Sequence, residues 1–348
     1  MKKTFKTVLI LFLSLHSCNE PETTVTDIVR MDGSIERRIE MRGVNAKFNI
    51  PDVQVPYDST WSIRDSLEIN KNGDTIRVRR AVKNFSNAEE LNNYYSSDSS
   101  LNKSTVRRVE FRKKFRWFDT HYSFSEIVEK RINHGYPVAS FMPDDELKWF
   151  YLPEAEKTRL LIGPDSLRYK VLDDSVKSHQ EIWMWRSLIS EWINTFNKLT
   201  EGKGIKGNTK EKEAILYSMV RDNMNDFDSL WSQGVILKKL TGEKEAIEFK
   251  EEADSAMRVI EDLLGQRFSN YSVRIVMPGK QVSSNSMLKD STGFPLWQVK
   301  SEFFLTEPYI MKAESIVYNI WAWLITATFI ILFAGAIIFP VKKQKPAI

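Results

Sequence analysis

Gly202-Lys203-Gly204-Ile205-Lys206-Gly207 has the spacing of a dinucleotide-binding turn, G-x-G-x-x-G. That turn works only when a strand precedes it, so that the following helix aims its amides at a pyrophosphate. Here the preceding residues carry helical spacing. Gly202 to Thr209 also comes near a phosphate-binding loop, but Asn208 stands where the phosphate-reaching lysine belongs. A linker between helices is the better reading of this stretch. His121, His134 and His179 lie in separate segments without paired-ligand spacing, so no metal site is assigned. The acids Asp144-Asp145-Glu146, Asp173-Asp174 and Glu251-Glu252 are adjacent in sequence, and adjacent side chains do not face each other on a helix or a strand. They read as helix starts or solvated faces. The chain has no G-x-S-x-G elbow, and its single cysteine is Cys18. The sequence therefore assigns no catalytic residue, no cofactor and no metal.

Two aromatic clusters carry a different kind of chemistry. Trp183, Trp185 and Trp192 crowd one segment; Phe115, Trp117, Phe118, Tyr122 and Phe124 crowd another. Either is core packing between sheet and helix, or an apolar surface for lipid or a partner helix. Beside the second cluster runs a basic stretch, Arg107, Arg108, Arg112, Lys113, Lys114 and Arg116. Within it Arg112, Lys114 and Arg116 are the candidate contacts to anionic headgroups or a charged partner. The alternative is an ordinary wet sheet face.

Elements must hold these residues in place. Val25, Val29, Met31, Ile35, Ile39 and Met41 share one parity, interrupted by Asp32-Gly33, as in a hairpin. Trp61 to Ile69 and Ile76 to Val82 repeat the pattern around Asn72-Gly73. Val109, Phe111, Phe115 and Trp117 alternate with charged residues, which predicts a strand with one apolar and one wet face, returning after Asp119. Ile182 to Leu199, Ile215 to Leu230 and Ile247 to Leu264 follow helix spacing. Tyr271, Val273, Ile275 and Met277 alternate again, with Trp297 to Phe304 as a pairing candidate. The expected fold class is α+β: an antiparallel β-sheet body with an inserted or docked helical block, followed by one transmembrane helix.

The ends carry the membrane signals. Lys2, Lys3 and Lys6 precede an apolar core too short to span a bilayer, so residues 1–17 read as a signal peptide. Leu15-His16-Ser17-Cys18 resembles the lipobox of bacterial lipoproteins, which implies cleavage before Cys18 and its lipidation. Ile316 to Phe339 is a 24-residue run without a charged side chain, with Tyr309, Tyr318, Trp321 and Trp323 clustered at one end and Lys342, Lys343 and Lys345 following the other. It is expected to cross the membrane with residues 341–348 in the cytoplasm. These six terminal lysines account for the net charge of +4, and without them the body is slightly acidic. No nucleic-acid partner is therefore expected. The expected organisation is residues 18–175 mainly β, 176–265 helical, 266–308 returning strands, and 309–340 membrane-proximal segment and span.

Met277-Pro278-Gly279, Ser284-Asn285, Gly293 and Trp297, followed by the apolar run, resemble the last part of the mycobacterial LppM-type membrane lipoproteins. The resemblance implies a β-rich extracytoplasmic domain near a membrane and carries over no catalytic residue. The expected protein is a non-enzymatic binding or scaffold module of the bacterial envelope. It would have a periplasmic body, an inner-membrane anchor, and membrane lipid or an envelope protein as partner. The alternative is a periplasmic enzyme acting on envelope lipid or polymer, with His121 or a carboxylate pair as acid–base.

Overall fold

The alternating runs before Phe85 fold as two hairpins of one sheet. A computed structural model describes residues 21–44, 55, 57–69, 73–97, 105–223, 226–265 and 270–338. Strands β1 (Glu22–Val29) and β2 (Ile35–Val44) pair antiparallel, as do β3 (Ser62–Ile69) and β4 (Thr75–Phe85). Helix α1 (Ala88–Ser97) leads to a third hairpin, β5 (Arg107–Phe115) and β6 (Asp119–Val128). Eight helices follow by Gly265: α2 (Asp144–Phe150), α3 (Glu154–Leu161), α4 (Ser166–Leu199), α5 (Thr209–Asp222), α6 (Phe227–Ser232), α7 (Val235–Thr241), α8 (Glu243–Glu248) and α9 (Lys250–Gly265). Strands β7 (Tyr271–Val276), β8 (Lys280–Ser284), β9 (Leu288–Lys289), β10 (Pro295–Val299) and β11 (Tyr309–Tyr318) then precede helix α10 (Ile320–Ile338). Cys18 and the signal segment lie outside the described residues.

The strands form a seven-stranded sheet, β3-β4-β2-β1-β7-β10-β9, and a four-stranded sheet, β5-β6-β11-β8. The expectation of a purely antiparallel body is corrected at one ladder. β7 lies parallel to β1, with Val273 opposite Val25. Parallel neighbours need a long crossover, and the intervening helical stretch supplies it. The sheets share one apolar core, to which the first contributes Val25, Ile39 and Phe85 and the second Phe124 and Met311. The chain passes between them at Gly279, whose φ is 73°; a Cβ there would lie 2.4 Å from the Ile316 carbonyl oxygen, so only glycine fits.

The helices build a second core around Trp192, Phe196, Leu216, Ile236 and Ile260. They join the sheets through Phe150, Trp183 and Phe303, with Trp183 Nε1 donating to the Tyr136 carbonyl at 2.8 Å. The tryptophans of α4 are therefore packing residues.

Charged residues occupy several core-facing strand positions. Asp27, Arg37 and Glu126 are each 0% exposed. Arg37 donates through one nitrogen to Asp27 at 3.2 Å and through the other to Glu126 at 3.0 Å, so it clamps the two sheets. Tyr95 of α1 donates to Glu126 at 3.3 Å. Burial pushes the Asp27 carboxyl up, and the Arg37 charge offsets only part of that. Burial acts the same way on Glu126, but the Arg37 and Arg107 charges and the hydrogen bonds from Arg37 and Tyr95 outweigh it and hold it low.

The expected span over Ile316–Phe339 is also corrected. Ile316, Val317 and Tyr318 finish β11 opposite His121, Thr120 and Asp119, so the helix begins only at Ile320. Its 19 residues reach roughly 28 Å, against about 30 Å of bilayer hydrocarbon. No helix among the described residues is long and apolar enough to cross a membrane. Residues 339–348, with the three closing lysines, lie outside the described residues.

Candidate functional site

The glycine loop and the histidines make local contacts. After α4, Gly202 N–H donates to the Asn197 carbonyl at 2.7 Å, Gly204 N–H to Thr200 Oγ1 at 3.1 Å, and Ile205 N–H to Asn197 Oδ1 at 3.2 Å. The first amides of the glycine loop thus close the end of α4. Each described histidine faces a carboxylate: His121 Nε2 lies 2.9 Å from Asp119, His134 Nδ1 3.2 Å from Glu191, and His179 Nδ1 2.5 Å from Glu146. Ser175 donates to that same Glu146 at 2.8 Å, so its hydroxyl is not poised against His179 as a nucleophile. No group of three or more metal-ligating side chains occurs among the described residues.

One cleft of about 310 Å³ opens between Tyr151, Asn285, Trp297 and Tyr309. Asn285, its central amide, accepts from Trp297 Nε1 at 3.1 Å and from Lys312 N–H at 2.9 Å, and donates to the Ile310 carbonyl at 2.7 Å. That amide braces strands. The described lining includes no carboxylate, histidine or lysine.

Chemistry of another kind gathers at the tip of the β5–β6 hairpin. Phe111 is the last apolar residue of β5 packed on the shared core. Beyond it both faces of β5 are open. Phe115 and Trp117, expected on the core face, are 57% and 47% exposed. They meet the start of α10 instead. Phe115 stacks on Trp321 at 6.3 Å between ring centroids, Trp117 packs edge-on against Trp321 at 5.3 Å, and Phe118 lies 4.3 Å from Trp323. Trp117 Nε1 donates to Thr326 Oγ1 at 2.8 Å.

Asn319 fastens the two parts together. Its backbone N–H donates to the Phe118 carbonyl at 2.9 Å, its side-chain amide donates to the Arg116 carbonyl at 2.8 Å, and its side-chain oxygen accepts from Thr120 at 3.1 Å. Its own carbonyl accepts from Ala322 N–H, opening the helix. The strong polar residue at the edge of the apolar run is thus a joint. Asn319→Ala is expected to lower the stability of this joint by about 1–2 kcal/mol. Amide exchange at Trp117, Phe118 and Ala322 should accelerate, while exchange in β1 and β2 should not change.

The basic candidates flank this collar. Arg112 and Lys114 share the outer face of β5, opposite Ser123 and His121, and Arg116 lies in the turn. All three are exposed. Arg112 approaches Glu110 at 3.2 Å with its side chain 80% exposed. Arg107, by contrast, is buried over the Tyr271 ring and is not part of the face. Past the collar, Phe329 to Phe333 of α10 are each between 63% and 72% exposed. At about 100° per residue, five consecutive positions circle the helix. Apolar surface therefore points in every direction.

The chain matches no family model, no curated protein and no solved structure.

Proposed function

We propose that this chain is a non-enzymatic binding or scaffold protein of the bacterial cell envelope, lipidated at Cys18, with its body on the periplasmic side of a membrane and its hairpin collar resting on that membrane. The observation that carries the reading is the continuity of three surfaces: the basic residues Arg112, Lys114 and Arg116, the aromatic collar, and the open apolar circumference of α10. Cations suit anionic headgroups, indole rings suit the boundary layer, and aliphatic side chains suit hydrocarbon. A partner helix would cover one side of α10; lipid covers all sides, and contact with it requires no crossing. Covering each large side chain is worth roughly 1.5–3 kcal/mol, so several together overcome the cost of holding the body at the surface.

Tryptophan quenching tests this. The full chain is mixed with vesicles of phosphatidylcholine and phosphatidylglycerol carrying a nitroxide at the headgroup or deep in the acyl chain. Headgroup quenching should exceed that by a soluble nitroxide, and Trp117→Phe with Trp321→Phe should remove most of the excess. Equal quenching of the double variant and the unaltered chain would sink the reading.

A further inference from the structure

Strand β3 ends the seven-stranded sheet, with no neighbour on its outer side among the described residues. Seven of its eight residues are exposed. They include Ile63 at 40%, Leu67 at 69% and Ile69 at 78%. Its charges are also unbalanced. Glu68 pairs with Arg42 at 2.5 Å and Arg80 at 2.9 Å, whereas Arg64 makes no ion pair among the described residues. Arg64 stands instead directly opposite Arg80 in the β3–β4 register. Like charges facing across a ladder repel.

We infer that β3 is the interface for a second copy of this chain, joined edge to edge and antiparallel into one continuous sheet. Symmetry limits the registers. A two-fold axis normal to the sheet keeps each face aligned with itself, so one residue of β3 must oppose its own copy. Centring on Arg64, Asp65 or Glu68 sets like charges together. Centring on Leu67 leaves Arg64 without a described partner. Centring on Ser66 places Arg64 opposite the second copy's Glu68, twice, and Ile63 opposite its Ile69, twice. Asp65 then faces the second copy's Leu67, but no other register sets Arg64 opposite a carboxylate of β3. Charges on an edge strand reject unselective pairing; these accept one arrangement.

The full chain in detergent, carrying Cys18→Ser so that an introduced thiol stands alone, tests the register. Ser66→Cys should give a disulfide-linked dimer under mild oxidation. Arg64→Cys and Glu68→Cys should each crosslink poorly alone, because each thiol lies four residues from its own copy, and well when mixed. Without introduced thiols, sedimentation should give twice the chain mass at tens of micromolar. Arg64→Glu, an exposed change, should weaken that association at least tenfold. A chain that sediments as a monomer at that concentration overturns the inference. So does self-crosslinking by Arg64→Cys that equals that by Ser66→Cys.

Discussion

Arg37→Met lowers the stability of the β-sandwich by about 3–5 kcal/mol, the expected cost of stripping the partner from buried charges. The side chain it replaces is 0% exposed and holds Asp27 and Glu126 from opposite sheets. Methionine fills most of the volume but leaves both carboxyls inside, without the guanidinium they share. The sheets lose their polar tie as well as its charge balance. Hydrogen exchange measures this locally: amides of β1, β2 and β6 should lose protection by roughly 10²–10³-fold or more, with little change in α5 to α9. Replacing Asp27 and Glu126 by leucine in the same chain should recover much of the loss, since an apolar core tolerates what an orphaned charge does not. A loss below about 1 kcal/mol for Arg37→Met would show that water reaches the cluster.

The two carboxyls differ in what they contribute, and pH separates them. Asp27 is raised by burial. A group with a raised folded value gives its stability fully below its ordinary value, near 3.8, and loses it as pH rises through the folded value. Glu126 is held low, chiefly by Arg37 and Arg107 acting against burial. Its contribution is present above its ordinary value, near 4.5, and is lost as pH falls. At pH 7, Glu126→Gln should therefore cost about 3 kcal/mol and Asp27→Asn about 1 kcal/mol. Urea unfolding between pH 4 and 8 should show a flatter profile on the rising-pH side for Asp27→Asn and on the acid side for Glu126→Gln.

These charges mark where sequence pattern is informative and where it falls short. The hairpins at Asp32-Gly33 and near Gly73 were legible because alternation and turn residues are local. Asp27 and Arg37 sit at the same parity as Val25, Val29, Ile35 and Ile39, and Glu126 at that of Phe124 and Val128. A charge at core parity is a signal for a buried ion pair, but it reads as a simple interruption until its partner on another sheet is known. Parity also names a side without saying what covers it: Phe115 and Trp117 share the parity of core residues, but the core ends at Phe111. The parallel β1–β7 ladder was out of reach, since nothing in a strand's own residues specifies a partner so far along the chain. Ile316 to Tyr318 are apolar enough for helix or strand, and it is pairing with residues 119–121 that makes them strand.

Arg112, Lys114 and Arg116 form a charged face in the sequence, and their place beside the collar gives them a measurable task. Each cation near an anionic surface contributes about 1 kcal/mol, so replacing all three by glutamine removes about 3 kcal/mol, roughly a 150-fold loss of affinity. Arg112 contributes the least of the three, since Glu110 already neutralises part of it. The apolar contribution of α10 is untouched by these changes and acts equally on neutral and anionic lipid. The informative quantity is therefore the ratio of binding to phosphatidylglycerol vesicles over phosphatidylcholine vesicles, measured by flotation. The unaltered chain should prefer anionic vesicles strongly at about 20 mM salt and weakly at about 0.5 M, as screening shortens the reach of the surface charge. The triple variant should bind both vesicles alike at either salt. An unchanged preference in that variant would move the headgroup contact away from this hairpin, leaving the exposed rings without a charged rim and the collar without its proposed orientation.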